Sequence, residues 1–194
     1  MERISGLLPD IGGIPEKWEL AGDTVTLRLD PSLFPYADRI GRAYAEVLGV
    51  SAVYADVSGV SGELRIPDTR LIWGEPTPAV KTENGIVYSW DPSSIMFSSG
   101  NLKERGRMAK TDCSGETVVD MFAGIGYFTL PLARFGMPRR VFACEKNPVS
   151  YGYLVHNIAA NSVGSRVIPV LADNRGLCGT SFADRILMGY VQRT

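Results

Sequence analysis

From Thr117 onward, apolar runs and helix-like stretches alternate at short spacing. This feature constrains the fold of the chain more than any other. TVVDMF, RRVFACEKN, SRVIPVLADN and ADRILMGY read as strands. GIGYFTLPLARFG supplies a turn and a helix after the first strand, and PVSYGYLVHNIAAN a helix after the second. Strands joined through helices by short loops pair in parallel, with right-handed crossovers. The expected fold class is therefore α/β with a Rossmann-type parallel sheet. The chain stops at Thr194, soon after the fourth strand. An open sheet normally continues with elements that cover both faces. The expectation is a sheet domain truncated at its C-terminus, a fragment or one completed by a partner.

The preceding residues read differently. TVTLRLD (24–30) alternates apolar and polar residues like a short strand. YADRIGRAYAEVLGV (36–50) places Ile40, Tyr44, Val47 and Leu48 on one helical face, with Gly49 as its stop. SAVYADVSGV (51–60) reads as a strand, and ELRI and IVYSW as short strands among many Gly and Pro breakers. We divide the chain into an α+β region, 1–95, and a sheet domain, 96–194. The latter opens with SSGNLKERGRMAK (98–110), a basic helix for which Asn101 is the candidate cap and Glu104 its capping-box partner.

Charge excludes little: 20 basic against 21 acidic residues leave a net of −1, so any nucleic-acid surface must be a local patch. The 3 cysteines, Cys113, Cys144 and Cys178, are widely spaced and make no metal-ligand pair. With a single histidine, His156, no metal is expected. The cysteines read as reduced thiols of a cytoplasmic protein. The N-terminus lacks the apolar segment of a signal peptide. No apolar run approaches the ~20 residues that span a bilayer.

In open parallel sheets, ligands bind beyond the carboxyl ends of the strands. The first such end carries Asp120 and the turn Phe122-Ala123-Gly124-Ile125-Gly126. Glycine there lets backbone approach a ligand, and a following helix N-terminus would add a positive field. The second carries Glu145, which can accept both hydroxyls of a ribose. The third carries Asp173 and Asn174, able to read an adenine edge. The fourth runs from Asp184 to Tyr190, where a reacting group would sit. Each has a plainer reading: a tight turn, a surface carboxylate paired with Lys146, an Asx-turn residue. Their joint placement at successive strand ends favours a nucleoside. Thr129 stands where the dinucleotide fingerprint has its third glycine, which favours S-adenosyl-L-methionine over NAD. His156, mid-helix, and Cys144, in a buried strand, receive no catalytic role.

VVDMFAGIGYFTLPLA, EKNP, NIAAN, ADNR and ADRILMGYV, preceded by MFSSGNLKERGRMAK, resemble in order and spacing the class I methyltransferase-like tRNA enzymes that modify guanosine 37. The resemblance runs from Trp18 onward and is strongest over 95–193. It implies a class I S-adenosylmethionine-dependent fold. One branch methylates N1 of guanosine 37. The other, in the archaeal wybutosine pathway, moves the 3-amino-3-carboxypropyl group of S-adenosyl-L-methionine to C7 of 4-demethylwyosine in tRNA-Phe, releasing 5′-methylthioadenosine. Tyr127 replaces the proline typical of the methylating branch. LMGY replaces its NLP-type motif, ERGR its ERER, and DNR resembles the aminocarboxypropyl branch. The expected activity is therefore aminocarboxypropyl transfer to tRNA-Phe carrying 4-demethylwyosine, with no membrane partner. The alternatives are guanosine-37 N1-methylation and a non-catalytic tRNA- or partner-binding fragment.

The resemblance also implies residue roles. Ser98 and Arg105 anchor the methionine carboxylate, Glu145 holds the ribose, and Asp173 and Asn174 hold the adenine. Phe122, Ala123 and Gly124 line the pocket. It names no proton acceptor, which is left open, and transfer is expected to rest mostly on positioning and desolvation. Lys103, Arg105, Arg107, Lys110, Arg134, Arg139 and Arg140 are candidates for tRNA phosphate contacts. Tyr127 and Tyr190 are candidates for stacking on the target base. Residues 1–95 are expected to help position the tRNA. Arg105→Ala is expected to abolish transfer while leaving the fold intact.

Overall fold

In the computed structural model, residues 1–176 and 181–189 are described. They form two compact units: residues 1–81 with 90–97, and residues 82–89 with 98–194. The division is not a single cut, because a short stretch of the earlier chain belongs to the second unit.

The first unit holds a sheet in the order β1-β2-β3-β4, formed by Trp18–Ala21, Thr24–Arg28, Ala52–Ser61 and Ile66–Gly74. Helices α1 (Glu2–Leu7) and α2 (Ala37–Leu48) accompany it. The β2-α2-β3 passage is a parallel crossover, flanked by antiparallel pairs. α2 forms where the apolar spacing predicts, and Gly49 ends it. Ile40 and Tyr44 are buried in a core with Val25, Leu27, Leu29 and Val53. Gly41 gives α2 its close approach: a Cβ there would lie 2.6 Å from Trp73 Cβ. Of ELRI, residues 63–65 form a turn, and the strand begins at Ile66 and runs through Pro67.

Strands β5 (Ala79–Glu83) and β6 (Ile86–Trp90) form a hairpin. Its turn is Asn84-Gly85, with φ of 51° and 76°, the two positive dihedrals of a type I′ turn.

The second unit contains the parallel sheet, in the order β10-β7-β8-β9. Its strands are Arg185–Leu187, Thr117–Asp120, Arg140–Glu145 and Val167–Leu171, all paired in parallel. α3 (Leu102–Met108) precedes it, α4 (Thr129–Phe135) joins β7 to β8, and α5 (Pro148–Ala160) joins β8 to β9. Both crossover helices pack on β8, and α5 also on β9. Val118, Val141 and Val167, aligned across three strands, are buried beneath them. The strand order reverses at β7, with β8 on one side and β10 on the other. That switch point is where an open α/β sheet receives a ligand.

α3 begins at Leu102, but Asn101 makes no side-chain cap bond. Glu104 instead accepts from Arg107 at 2.5 Å. A salt-bridge partner one turn along competes successfully for the carboxylate that a capping box would need.

Candidate active site

The turn after β7 lies at the switch point and is held from below by Asp120. This carboxyl is fully buried at the end of β7. It accepts from the Phe122 N–H at 3.2 Å and the Thr129 hydroxyl at 2.7 Å. The Thr129 N–H also bonds to it. Asp120 therefore clamps both ends of the loop 121–128. Burial pushes its pKa up to about 6, against the hydrogen bonds from Thr129 and Phe122. The first N–H of α4 is thus spent on Asp120. The helix has only 7 residues and starts beyond the glycines, so its end does not supply the expected positive field.

Gly124 and Gly126 have φ of 57° and 101°. A Cβ at Gly124 would lie 2.7 Å from the Tyr127 ring, and one at Gly126 2.6 Å from Leu130. Both positions require glycine for conformation and for space. Ala123 is buried, and its N–H bonds to Cys144 O at 2.9 Å. Phe122 is half-buried beside it.

Glu145 ends β8 next to this turn. One carboxylate oxygen accepts from Gly124 N–H at 2.8 Å, the other from Asn147 N–H at 2.7 Å. A carboxylate offers about four lone-pair sites. Two N–H partners leave capacity for the two hydroxyls of a ribose, with the carboxylate already oriented. Asn147 then caps α5 by accepting from Val149 N–H.

The segment after β9 reaches back over the same edge. Asn174 donates from Nδ2 to Met121 O at 2.8 Å. Asp173 is held by Lys146 at 3.0 Å and Arg175 at 2.5 Å. These hydrogen bonds, from Arg175 first and then Lys146, keep its carboxyl well below the usual range. Asp120, Gly124, Glu145 and Asn174 are thus linked along one sheet edge.

Arg105 lies on α3 with 1% of its side chain exposed. Its Nε donates to Glu83 Oε2 at 2.7 Å, and Nη2 lies 2.6 Å from the same oxygen. Its Nη1 donates to Ser98 O at 2.8 Å. The guanidinium plane is therefore fixed, and the Ser98 backbone with it. Glu83, on the Asn84-Gly85 hairpin, is a site residue that sequence reasoning missed. Its signal was the Asn-Gly dipeptide between AVKTE and IVYSW, which marks a hairpin.

Residues 79–194 match the TRM5/TYW2 methyltransferase domain, and residues 2–77 match the TYW2 N-terminal domain. The chain is 49% identical over 195 residues to a tRNA(Phe) (4-demethylwyosine(37)-C(7)) aminocarboxypropyltransferase from Pyrococcus horikoshii. That alignment covers 100% of this chain and 69% of the relative. The chain belongs to the TRM5/TYW2 family. A crystal structure of P. horikoshii TYW2 in complex with MeSAdo superposes with a TM-score of 0.84 at 43% identity, covering 99% of this chain and 71% of that one. The tRNA (guanine(37)-N(1))-methyltransferase Trm5b of Pyrococcus abyssi is more distant, at 38% identity over 90% of this chain and 52% of its own length.

In this TRM5/TYW2 member several expected positions fall elsewhere. Arg139 donates to the Thr117 hydroxyl at 2.6 Å and Arg140 to Ser165 O. Both sit where β7 and β8 begin, the edge opposite the site. Arg134 donates to Asn161 O at 3.1 Å. These three arginines brace the unit from exposed positions. Asp184 also lies at the starting edge, where it accepts from Thr117 N–H at 2.7 Å. The strand end near the site is Leu187, whose carbonyl accepts from Met121 N–H. Asp184 precedes its strand, which reverses its assignment. Lys103 and Lys110 are exposed, and Arg107 is paired with Glu104. The Tyr127 ring lies against Gly124 and stacks on Tyr88 with centroids 6.3 Å apart. Tyr190 and Cys178 lie outside the described residues. Cys144 is buried, donates to Ala172 O, and has its thiol pKa raised by burial. His156 is exposed on α5.

Proposed function

We propose that this chain transfers the 3-amino-3-carboxypropyl group of S-adenosyl-L-methionine to C7 of 4-demethylwyosine at position 37 of tRNA-Phe, releasing 5′-methylthioadenosine. The relationship to the P. horikoshii aminocarboxypropyltransferase, at 49% identity over the full chain, carries this reading. The site fits the donor. Glu145, oriented by Gly124 and Asn147, is proposed to accept the ribose hydroxyls. Asn174 and Asp173 border the adenine end. Phe122, Ala123 and Gly124 form the wall between them.

The sulfonium of the donor activates the methyl, the methionine Cγ and the ribose C5′, and the one in line with the acceptor reacts. What this chain supplies is orientation. Ser98 and Arg105 are proposed to receive the methionine carboxylate. The Glu83 pair fixes the guanidinium, and its Nη1 bond fixes the Ser98 backbone, so less freedom is lost when a carboxylate binds beside them. Lys103, Arg107 and Tyr127 are proposed as tRNA contacts, with residues 1–95 helping to place the tRNA. No helix among the described residues is long and apolar enough to cross a membrane, and we propose a cytoplasmic setting.

The experiment is product analysis with precursor tRNA-Phe and S-adenosylmethionine. Methylthioadenosine in step with modified tRNA supports the reading. No methylthioadenosine from this tRNA, with S-adenosylhomocysteine formed on tRNA that carries unmodified guanosine 37, would assign the chain to guanosine methylation.

A further inference from the structure

Helix α5 and the hairpin arm before it are joined by an amide ladder. Asn157 Oδ1 accepts from Ser89 N–H at 2.9 Å, and its Nδ2 donates to Ser89 O at 3.1 Å. One turn along, Asn161 does the same for Val87, at 2.9 Å and 2.7 Å. The rungs match because the two repeats nearly agree. Four helical residues rise about 6 Å, and two strand residues about 6.6 Å. Each asparagine imitates a strand residue, closing one N–H and one C=O that a strand edge leaves open.

Asn157 makes a further bond. Its Nδ2 also donates at 3.1 Å to Ile125 O, between the two glycines of the turn. Asn157 is fully buried, so this one amide sets three backbone groups at once. Among the described residues the Asn161 side chain makes no hydrogen bond to the glycine turn; its other Nδ2 bond goes to Asn157 O. The same arm sends the Tyr88 hydroxyl to Tyr127 O at 3.2 Å. Its tip carries Glu83, which holds Arg105.

We propose that Asn157 is a positioning residue for the donor site: by tying Ile125 to Ser89 it fixes the glycine turn to the hairpin that orients Arg105, so both ends of the donor meet one frame. This rests on the donor-binding reading above. It separates Asn157 from Asn161, although both sit in NIAAN and serve the same strand.

Calorimetry with S-adenosylmethionine on the full chain tests it, alongside thermal melts. Asn157→Ala and Asn161→Ala should lower the melting midpoint by comparable amounts. Asn157→Ala should raise the donor Kd at least tenfold, and Asn161→Ala less than threefold. Unchanged donor affinity in Asn157→Ala overturns the proposal. So does an equal loss in both variants, which would mean hairpin stability alone. If Asn157→Ala does not fold, amide exchange on the unmodified chain decides. Saturating donor should slow exchange at Ser89 at least fivefold and leave Val87 nearly unchanged, because coupling between sites is reciprocal. No change at Ser89 overturns the proposal. A chain that fails to bind donor at all would remove the donor reading itself, which the calorimetry on unmodified protein shows first.

Discussion

The two ends of the parallel sheet use charge in opposite ways. Where the strands begin, ionic groups are spent on pinning strands. Arg185 forms a bidentate pair with Glu116 at 2.6 Å and 2.8 Å, Asp184 takes the Thr117 N–H, and Arg139 the Thr117 hydroxyl. Where the strands end, carboxylates hold loop backbone. Asp120 and Glu145 accept N–H groups of the turns that follow them. Glu145, held by one N–H per oxygen, is oriented and still has acceptor capacity. Asp120 is buried and takes the Thr129 hydroxyl as well, and Asp173, just after β9, is paired with Lys146 and Arg175.

Four substitutions would break or sharpen this contrast. The largest effect is expected at Arg105→Ala. Removing one member of a buried pair strands Glu83 and costs about 3–5 kcal/mol, so the fold is weakened along with transfer. Denaturant melts measure the first and product assays the second. The expectation of an intact fold is therefore revised, and Arg105→Ala with Glu83→Gln together is the cleaner test of carboxylate anchoring. An activity restored by the double change would remove Arg105 from donor binding.

Glu145→Ala comes next. Hydrogen bonds to a charged acceptor contribute about 1.5–3 kcal/mol each, so with two lost the affinity for S-adenosylmethionine and methylthioadenosine should fall by at least about a hundredfold. Equal affinity by calorimetry would mean that the ribose is held elsewhere.

Asp120→Asn has a signed pH dependence. The folded carboxyl titrates near 6, above the ordinary value of 3.8. The folded state therefore holds the proton more tightly. Asp120 contributes its full stability below about pH 4 and loses it as pH rises through 6. The shift corresponds to at most about 3 kcal/mol. The stability of Asp120→Asn relative to the parent should grow by up to that amount between pH 4 and 6 and level off above 7. A difference independent of pH would show that the carboxyl is ionised throughout.

The smallest effect is expected at Glu116→Gln, on the opposite edge. A pair exposed to this degree is worth about 1 kcal/mol or less. Donor affinity should not change. A large loss of donor binding there would erase the distinction between the two edges.

Some of this was legible in the chain and some was not. The parallel sheet, its helices and the placement of Glu145 and Asn174 at strand ends follow from local periodicity and short loops. α2 was equally clear from its apolar face. Asn84-Gly85 was legible as a hairpin signal but masked by the surrounding glycines and prolines. ELRI has the composition of a strand, yet residues 63–65 lie in the turn between β3 and β4 and Ile66 alone is in the strand. Asn101 and Glu104 have the spacing of a capping box, and Arg107 outcompeted it. Which edge Arg139 and Arg140 fall on was not legible; strand direction puts them where β7 and β8 begin.

The sequence by itself determined the alternation, the glycine turn and the order of carboxylates along the sheet edge. It could do so because strand and helix periods, and the steric demands of φ > 0, act over a few residues. Only the tertiary structure decided that Glu83 holds Arg105, that Asp120 spends the helix end, and that Asn157 and Asn161 complete a strand far earlier in the chain. Those are pairings of buried polar groups, each of which must find a partner once water is excluded. Which partner it finds depends on what the fold brings near, and no local pattern records that.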